Sequence, residues 1–158
     1  MATAYLPDLT TTNLSFETIP IVWLISIAPR FWSRRVYKKA VNKSMDVHHP
    51  REFSKTIAND KTLDARTQGQ LLRAEAAVAN GFDNIGLFAA AIVAGNAAGL
   101  DVKLLNGLTL GYALSRVLYN FVYIMNHAPG RLFAYFSGLG MVMALFIKAG
   151  HNFKEARI

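Results

Sequence analysis

The sequence predicts an all-α integral membrane protein, a four-helix bundle in a single domain over residues 1–158. The chain is 53% hydrophobic and only 17% charged, whereas soluble domains carry about 25% charged residues. Its apolar residues fall into long segments of helical periodicity, separated by polar connections. It contains no cysteine, which excludes disulfide-stabilised modules, thiolate zinc sites and iron–sulfur clusters.

The predicted helices cover about residues 16–33, 67–100, 104–125 and 131–148. The first has Pro20 near its start and Pro29 near its end. Proline is tolerated in the first turn of a helix but disrupts its interior. We therefore expect this helix to be kinked or to end near Pro29. No basic segment precedes it, which argues against a cleaved signal peptide.

A hydrophilic connection at residues 34–66 joins the first two predicted helices. It holds nine Lys and Arg against four acids, so it carries most of the formal net charge of +7. The positive-inside rule then predicts a cytoplasmic connection, with both termini on the other side of the membrane. Here the basic charge either contacts anionic headgroups or only sets the topology, and nucleic-acid binding is not expected.

His48 and His49 in the same connection lack a third ligand nearby, so no metal site is predicted.

No segment reaches the roughly 18 uncharged residues that mark a simple spanning helix; the longest, residues 84–100, has 17. The interrupting polar residues recur at helical spacing: Arg73, Asn80 and Asp83 on the second helix, and Arg116, Tyr119 and Tyr123 on the third. Ionisable residues within a span turn inwards and pair, so we expect Asp83 to pair with Arg116. These residues either hold the helices together or bind a ligand, and their pattern leaves both readings open.

Small residues predict close helix packing within lipid. They occur as Gly95xxxGly99, Gly107xxxGly111 and Gly138-x-Gly140. The competing interpretation is a soluble four-helix bundle with an unusually apolar core. A soluble helix needs a polar face, and residues 85–100 and 132–147 do not supply one.

Arg131 follows Pro129 and Gly130 and opens the fourth predicted helix. An arginine at a helix N-terminus is unfavourable to the helix dipole unless it serves an anion. That anion is either a lipid phosphate or the carboxylate or thiolate of a ligand.

Three segments together resemble the MAPEG family, the membrane-associated proteins of eicosanoid and glutathione metabolism. The stretch RAEAAVANGFDN is similar to the family's second-helix pattern Arg-x-x-x-Ala-x-x-Asn-x-x-Glu-Asn. SRVLYNFVY is similar to its third-helix pattern Arg-x-x-Tyr/His-x-x-x-Tyr, and PGRLFAYFSGLG to the start of its fourth helix. Their order and spacing agree over about residues 70–150.

The resemblance implies a left-handed four-helix bundle in each subunit of a homotrimer in the endoplasmic reticulum membrane. It also implies a glutathione transferase or peroxidase that acts on lipophilic electrophiles or lipid hydroperoxides. Glutathione would bind between subunits near the cytoplasmic face, and Arg131 would stabilise its thiolate. The residues that match glutathione-binding positions are Arg73, Asn80, Asp83, Arg116, Tyr119 and Tyr123.

Three departures from the family pattern support an alternative function. Asp83 replaces the usual Glu, and Val78 stands where His or Gln is common. Ala76 and Ala79 stand where some glutathione-using members have arginines. The alternative is a non-catalytic protein of the same fold with a lipid-binding or scaffolding role. A small transporter is a weaker third hypothesis.

Overall fold

The computed structural model describes residues 8–155, and within this range it contains helices and no strand. The elements are α1 (Thr18–Val41), a 3₁₀ turn (Pro50–Glu52), α2 (Phe53–Asn59), α3 (Ala65–Ala97), α4 (Val102–Ile124) and α5 (Ala128–Glu155). The all-α prediction is confirmed. Four of these helices are long and form the body of the molecule, and α2 is a short helix in the connection between α1 and α3.

The long helices pack as a bundle in which α3 contacts each of the other three. The main core holds fully buried side chains from α1, α3, α4 and α5, among them Val22, Phe88, Leu105 and Leu145. At 1.5 Å per residue, the shortest of the four helices is about 35 Å long, enough for a hydrocarbon layer of about 30 Å. Two of the helices, α3 and α5, also have the apolar composition of a membrane span.

Local chemistry sets the turn between α3 and α4. Gly99 has a left-handed backbone (φ +66°), and its N–H donates to the Asn96 carbonyl (3.0 Å). The Leu100 N–H donates to the Gly95 carbonyl (3.0 Å). This is a Schellman motif, which satisfies carbonyls at the helix end. Asp101 then caps α4 by accepting from the Leu104 N–H (3.2 Å), so the chain reverses within a few residues.

The helix α1 does not end at Pro29 but continues through it to Val41. Proline has no N–H, so the carbonyl of Ile25, four residues earlier, loses its bond within the helix. The side-chain amide of Asn120 on α4 donates to this carbonyl (2.9 Å). A residue on a neighbouring helix thus replaces the missing backbone donor.

The connection predicted as a hydrophilic loop is a folded unit, which we call the loop cap (residues 34–64). Its small core contains Tyr37, Phe53 and Ile57, packed on Leu71 of α3. The Tyr37 hydroxyl donates to Asp60 (2.8 Å). The sequence did not predict this core, because the segment is mostly basic and the few apolar residues that form the core are widely spaced.

The paired glycines do not act as pairs. Gly138 approaches α4 so closely that a Cβ would lie 2.8 Å from the Arg116 guanidinium, whereas a Cβ at Gly140 would meet nothing within 4 Å. Gly107 likewise faces open space. A close approach of α1 to α3 occurs instead at Gly81, which stands outside these motifs. A Cβ there would lie 2.7 Å from the Ser26 Cβ.

Candidate functional site

Six of the seven predicted site residues lie in the first half of α3, the second half of α4 and the first turns of α5. This is the half of the bundle nearer the loop cap. Five of these side chains form a connected series, Asn80, Arg116, Tyr119, Tyr123 and Arg131. Arg73 contacts the backbone at the end of α4. The seventh, Asp83, lies apart from this series.

Arg116 is the buried centre of the site, with 3% of the residue exposed. Its guanidinium donates to the Asn80 side-chain oxygen (3.4 Å) and to the Ala134 carbonyl of α5 (3.2 Å). It also lies over the rings of Tyr119 (4.9 Å) and Tyr112 (5.1 Å). Cation–π contacts of this kind stabilise a desolvated guanidinium. Arg116 therefore joins α3, α4 and α5 at a single point.

The expected pair of Asp83 with Arg116 is wrong. The ion pairs in residues 8–155 do not include Arg116, and Asp83 is exposed on the outer side of α3. Both residues were assigned to an inward face because their spacing along each helix allowed it. The rotation of α3 turns Asn80 toward Arg116 and Asp83 away from it.

Two polar atoms at this centre are buried without a hydrogen-bond partner in the described part of the chain, Arg116 Nε and Tyr112 Oη. Both residues line a narrow cavity between α3, α4 and α5 that Asn84 and Leu87 also line. A buried donor without a partner costs about 1–3 kcal/mol. The cavity is too narrow to hold a water molecule, so the two atoms stay unpaired within a single chain.

Arg131 lies at the outer edge of the site, half-buried in the first turns of α5. Its guanidinium sits over the Tyr123 ring (4.8 Å), and Tyr123 in turn contacts Tyr119 (5.4 Å between ring centres). The aromatic pair connects the buried arginine to the accessible one. Tyr123 therefore positions the Arg131 guanidinium at the mouth of the site.

Arg73 closes the site from α3. Its Nε donates to the Ile124 carbonyl in the last turn of α4 (3.2 Å), where backbone carbonyls lack partners within the helix. A cation there also complements the helix dipole. This contact fixes the start of α3 against the end of α4.

Sequence reasoning missed a second buried charged cluster. Glu75 is 4% exposed, and its Oε2 accepts from Arg30 Nη2 (2.6 Å) and Nε (3.0 Å). Its Oε1 accepts from the Ser33 hydroxyl (2.6 Å). The cluster ties α1 to α3 next to Arg73. Glu75 is 45 residues from Arg30 and 42 from Ser33 in the sequence, and no local signal links it to them.

A second feature that sequence reasoning missed is an apolar groove of about 290 Å³ between α1 and α4, lined by Ile25, Ala28, Pro29, Trp32, Val117, Asn120, Phe121 and Ile124. It opens on the outer side of the bundle near the end that carries the site. Its lining suits an acyl chain or another lipophilic molecule.

No candidate metal site is present in residues 8–155. This part of the chain contains no group of three His, Cys, Asp or Glu side chains that could bind an ion.

Comparison with known families agrees with the resemblance carried by the three segments. The family model described as MAPEG family matches residues 18–151, most of the chain. Comparisons with curated proteins and with solved structures give no significant match.

Proposed function

Because the chain belongs to the MAPEG family of integral membrane proteins, we propose that it is a membrane-bound glutathione transferase or peroxidase. Its second substrate would be a lipophilic electrophile or a lipid hydroperoxide. The apolar groove between α1 and α4 provides a surface of suitable chemistry for such a molecule.

The observation that carries this proposal is a cluster of three arginines that form no ion pair in the described part of the chain. They are Arg73, Arg116 and Arg131, in the half of the bundle nearer the loop cap. Cations within a membrane protein are costly unless they serve a partner or a ligand. Glutathione carries two carboxylates and a thiol, so its charge complements this cluster.

Arg131 is the residue we assign to thiolate stabilisation. A thiol is mostly protonated at neutral pH, and a neighbouring guanidinium favours the nucleophilic thiolate. Tyr123 holds this guanidinium in place, and its half-buried position leaves it open to a ligand. In conjugation the thiolate sulfur forms a bond to the electrophilic carbon, and the leaving group departs with its electron pair.

We further propose that the chain forms a homotrimer with glutathione bound between neighbouring copies. Asp83 is exposed in the middle of α3, a helix apolar enough to cross a membrane. A carboxylate facing lipid costs about 2.5–3.5 kcal/mol. Most exposed residues beside it on the same face are small, including Ala79, Gly86 and Ala90, with the larger Leu87 among them. Faces rich in small residues allow helices to approach closely. Contact of this face with a second copy of the chain would remove the carboxylate from lipid and use the close approach that the small residues allow.

A non-catalytic role, lipid-binding or scaffolding, is the second candidate. It is favoured by Ala76 and Ala79, which are exposed on the α3 face next to Asp83. Arginines at these positions in some glutathione-using members of the family would donate hydrogen bonds that alanine cannot. Each charge-assisted hydrogen bond lost there would weaken glutathione binding by about 1.5–3 kcal/mol, or tenfold or more.

The deciding experiment measures glutathione binding by calorimetry and conjugation of a generic electrophile, using purified protein in detergent. We expect binding at millimolar glutathione and a loss of about 100-fold in kcat/KM in Arg131→Ala. Arg51→Ala, which removes an exposed arginine of the loop cap, is the matched control and should keep full activity. Absence of binding would exclude the transferase and favour the non-catalytic role. Full activity in Arg131→Ala would assign thiolate stabilisation to another residue.

We propose the endoplasmic reticulum as the location, with the loop cap on the cytoplasmic side. The support is the charge of residues 34–66, which hold nine of the 17 Lys and Arg. Cleavage at Arg51 by trypsin added to sealed microsomes is expected. Protection of the loop cap, with cleavage near the termini instead, would invert the orientation.

A further inference from the structure

The last two turns of α1 carry a dense group of cations just beyond its apolar part. Arg34, Arg35, Lys38 and Lys39 lie within six residues. These turns belong to a regular helix, because Tyr37 on the opposite side is buried at 3% exposure against the loop cap core. The cations are therefore held in a fixed arrangement.

One face of α1 changes from apolar to basic along its length. Leu24 and Phe31 are exposed (60% and 62%), and Arg35 and Lys38 follow Phe31 at spacings of four and seven, so they continue the same stripe. Trp32, beside this stripe, is also exposed. Exposed aromatic residues are typical of the boundary between hydrocarbon and headgroups.

The distances along α1 place these cations at headgroup depth. At 1.5 Å per residue, Arg34 lies about 3 Å and Lys38 about 9 Å beyond Trp32 along the helix axis. The headgroup layer of one leaflet is about 5–7 Å thick, and long basic side chains bend back toward it.

A pocket of about 200 Å³ lies at the same level, between α1 and the segment after it. Its lining consists of Arg34, Lys38, Ser44, Met45 and Val47, which offers two cations and a hydroxyl but no acid. Arg34 Nε contacts Met45 Sδ (3.1 Å), which holds the guanidinium at the wall. The nearby Asp46 carboxylate instead accepts from the His48 N–H (2.8 Å) and contacts His49 Nδ1 (3.0 Å).

We propose that this pocket binds the phosphate-bearing headgroup of an anionic phospholipid. Arg34, Lys38 and Ser44 hold the phosphate, and Arg35 and Lys39 attract the anionic headgroups around it. The acyl chains of that lipid run along the exposed apolar stripe of α1, which begins where the cations end. This assignment is independent of glutathione chemistry, because none of these residues belongs to the arginine and tyrosine site.

The test uses Trp32 as a reporter in a Trp23→Phe background, since the chain contains only two tryptophans. The full-length protein is placed in phosphatidylcholine nanodiscs that contain either brominated phosphatidylserine or brominated phosphatidylcholine. Anionic lipid held beside α1 quenches Trp32 more strongly than zwitterionic lipid does. The double variant Arg34→Gln/Lys38→Gln should lower that preference by roughly fivefold for each cation removed.

Two further variants separate a binding site from general effects. Lys61→Gln/Arg66→Gln removes the same pair of residue types from exposed positions elsewhere and should keep the preference. Arg34→Lys/Lys38→Arg preserves the charge and should also keep it. Equal quenching by both lipids in the parent protein, or an unchanged preference in the double glutamine variant, would overturn the proposal.

A final arm distinguishes a lipid from a free anion. Inorganic phosphate is added to the protein in detergent, without lipid, and the melting temperature is measured. No shift is expected, because the lipid assignment depends on the acyl chains along α1. A stabilisation by millimolar phosphate that disappears in Arg34→Gln/Lys38→Gln would assign the pocket to a soluble anion and overturn the lipid assignment.

Discussion

Asn120 and Pro29 are a matched pair on neighbouring helices. Pro29 leaves the Ile25 carbonyl without its usual donor, and the Asn120 amide supplies one from α4. In lipid there is no water to take this role, so backbone polar groups need partners within the protein. The Asn120 amide therefore satisfies the carbonyl that Pro29 leaves free within a continuous α1.

We expect Asn120→Leu to lower the free energy of unfolding by about 1–3 kcal/mol, since it leaves the Ile25 carbonyl unpaired. Pro29→Ala restores a backbone N–H at position 29, so it should recover most of this loss when combined with Asn120→Leu. Thermal unfolding of the two single variants and the double variant in detergent measures the coupling. Simple additivity of the two changes would contradict the pairing.

At the scale of elements, the crossing of α1 and α3 depends on Gly81. A Cβ there would lie 2.7 Å from the Ser26 Cβ and 3.2 Å from its Cα, so the clash involves backbone and cannot be relieved by a side-chain rotation. The buried cluster of Arg30, Ser33 and Glu75 lies on the same interface. Separation of the two helices at Gly81 would also strain that cluster.

We predict that Gly81→Ala lowers the free energy of unfolding by about 1–3 kcal/mol, the usual cost of overpacking. Gly107→Ala is the control, because a Cβ at Gly107 meets nothing within 4 Å. The control should be neutral or stabilising by up to about 1 kcal/mol, through the higher helix propensity of alanine. Equal melting temperatures for the two variants would show that α1 and α3 tolerate a wider spacing.

Within the loop cap, the segment after α1 is held to the last turns of that helix by the bond from the Tyr37 hydroxyl to Asp60. Burial, together with this carboxylate, raises the pKa of Tyr37 from 10.0 to about 12. The neutral hydroxyl is thus favoured in the folded state. Its contribution to stability is fully present below pH 10, and it is lost as the pH rises through about 12.

Tyr37→Phe should therefore lower the melting temperature at neutral pH, by an amount that corresponds to one hydrogen bond, about 0.5–1.5 kcal/mol. The difference between the parent protein and Tyr37→Phe should shrink between pH 10 and pH 12. Melting curves of both proteins across this range measure it. A difference in melting temperature that stays constant up to pH 12 would show that the hydrogen bond donated by the Tyr37 hydroxyl does not stabilise the protein.

At the scale of the whole molecule, the outer face of α3 is where the proposed trimer would place a second copy. It exposes Asp83 among small residues, whereas the exposed residues of α4, such as Leu114 at 71%, are large and apolar. Large apolar side chains suit lipid, and a carboxylate among small residues suits protein. The two faces therefore have different expected neighbours.

Because the chain has no cysteine, single cysteines report on this assembly without background. We expect Ala90→Cys on α3 to form oxidative cross-links between chains in the membrane, and Leu114→Cys on α4 to remain monomeric under the same conditions. Native mass spectrometry should show three chains of 17.4 kDa each. A monomeric mass, or equal cross-linking at both positions, would exclude the proposed assembly.

The sequence by itself determined the helical class and the family, because hydropathy, periodicity and the motifs around Arg73, Arg116 and Arg131 are local properties. It also predicted that polar side chains within the helices turn inwards, which holds for Arg116 and not for Asp83. The boundaries were less accurate, since α1 continues past Pro29 to Val41 and α5 begins at Ala128.

Only the tertiary structure decided which polar groups meet. Arg116 contacts Asn80, tyrosine rings and α5 carbonyls instead of Asp83, and Glu75 meets Arg30. The physical reason is that spacing places a residue on its own helix but says nothing of how that helix is rotated against its neighbours. That rotation follows from close approaches such as Gly81 on Ser26, which depend on the packing of the whole bundle.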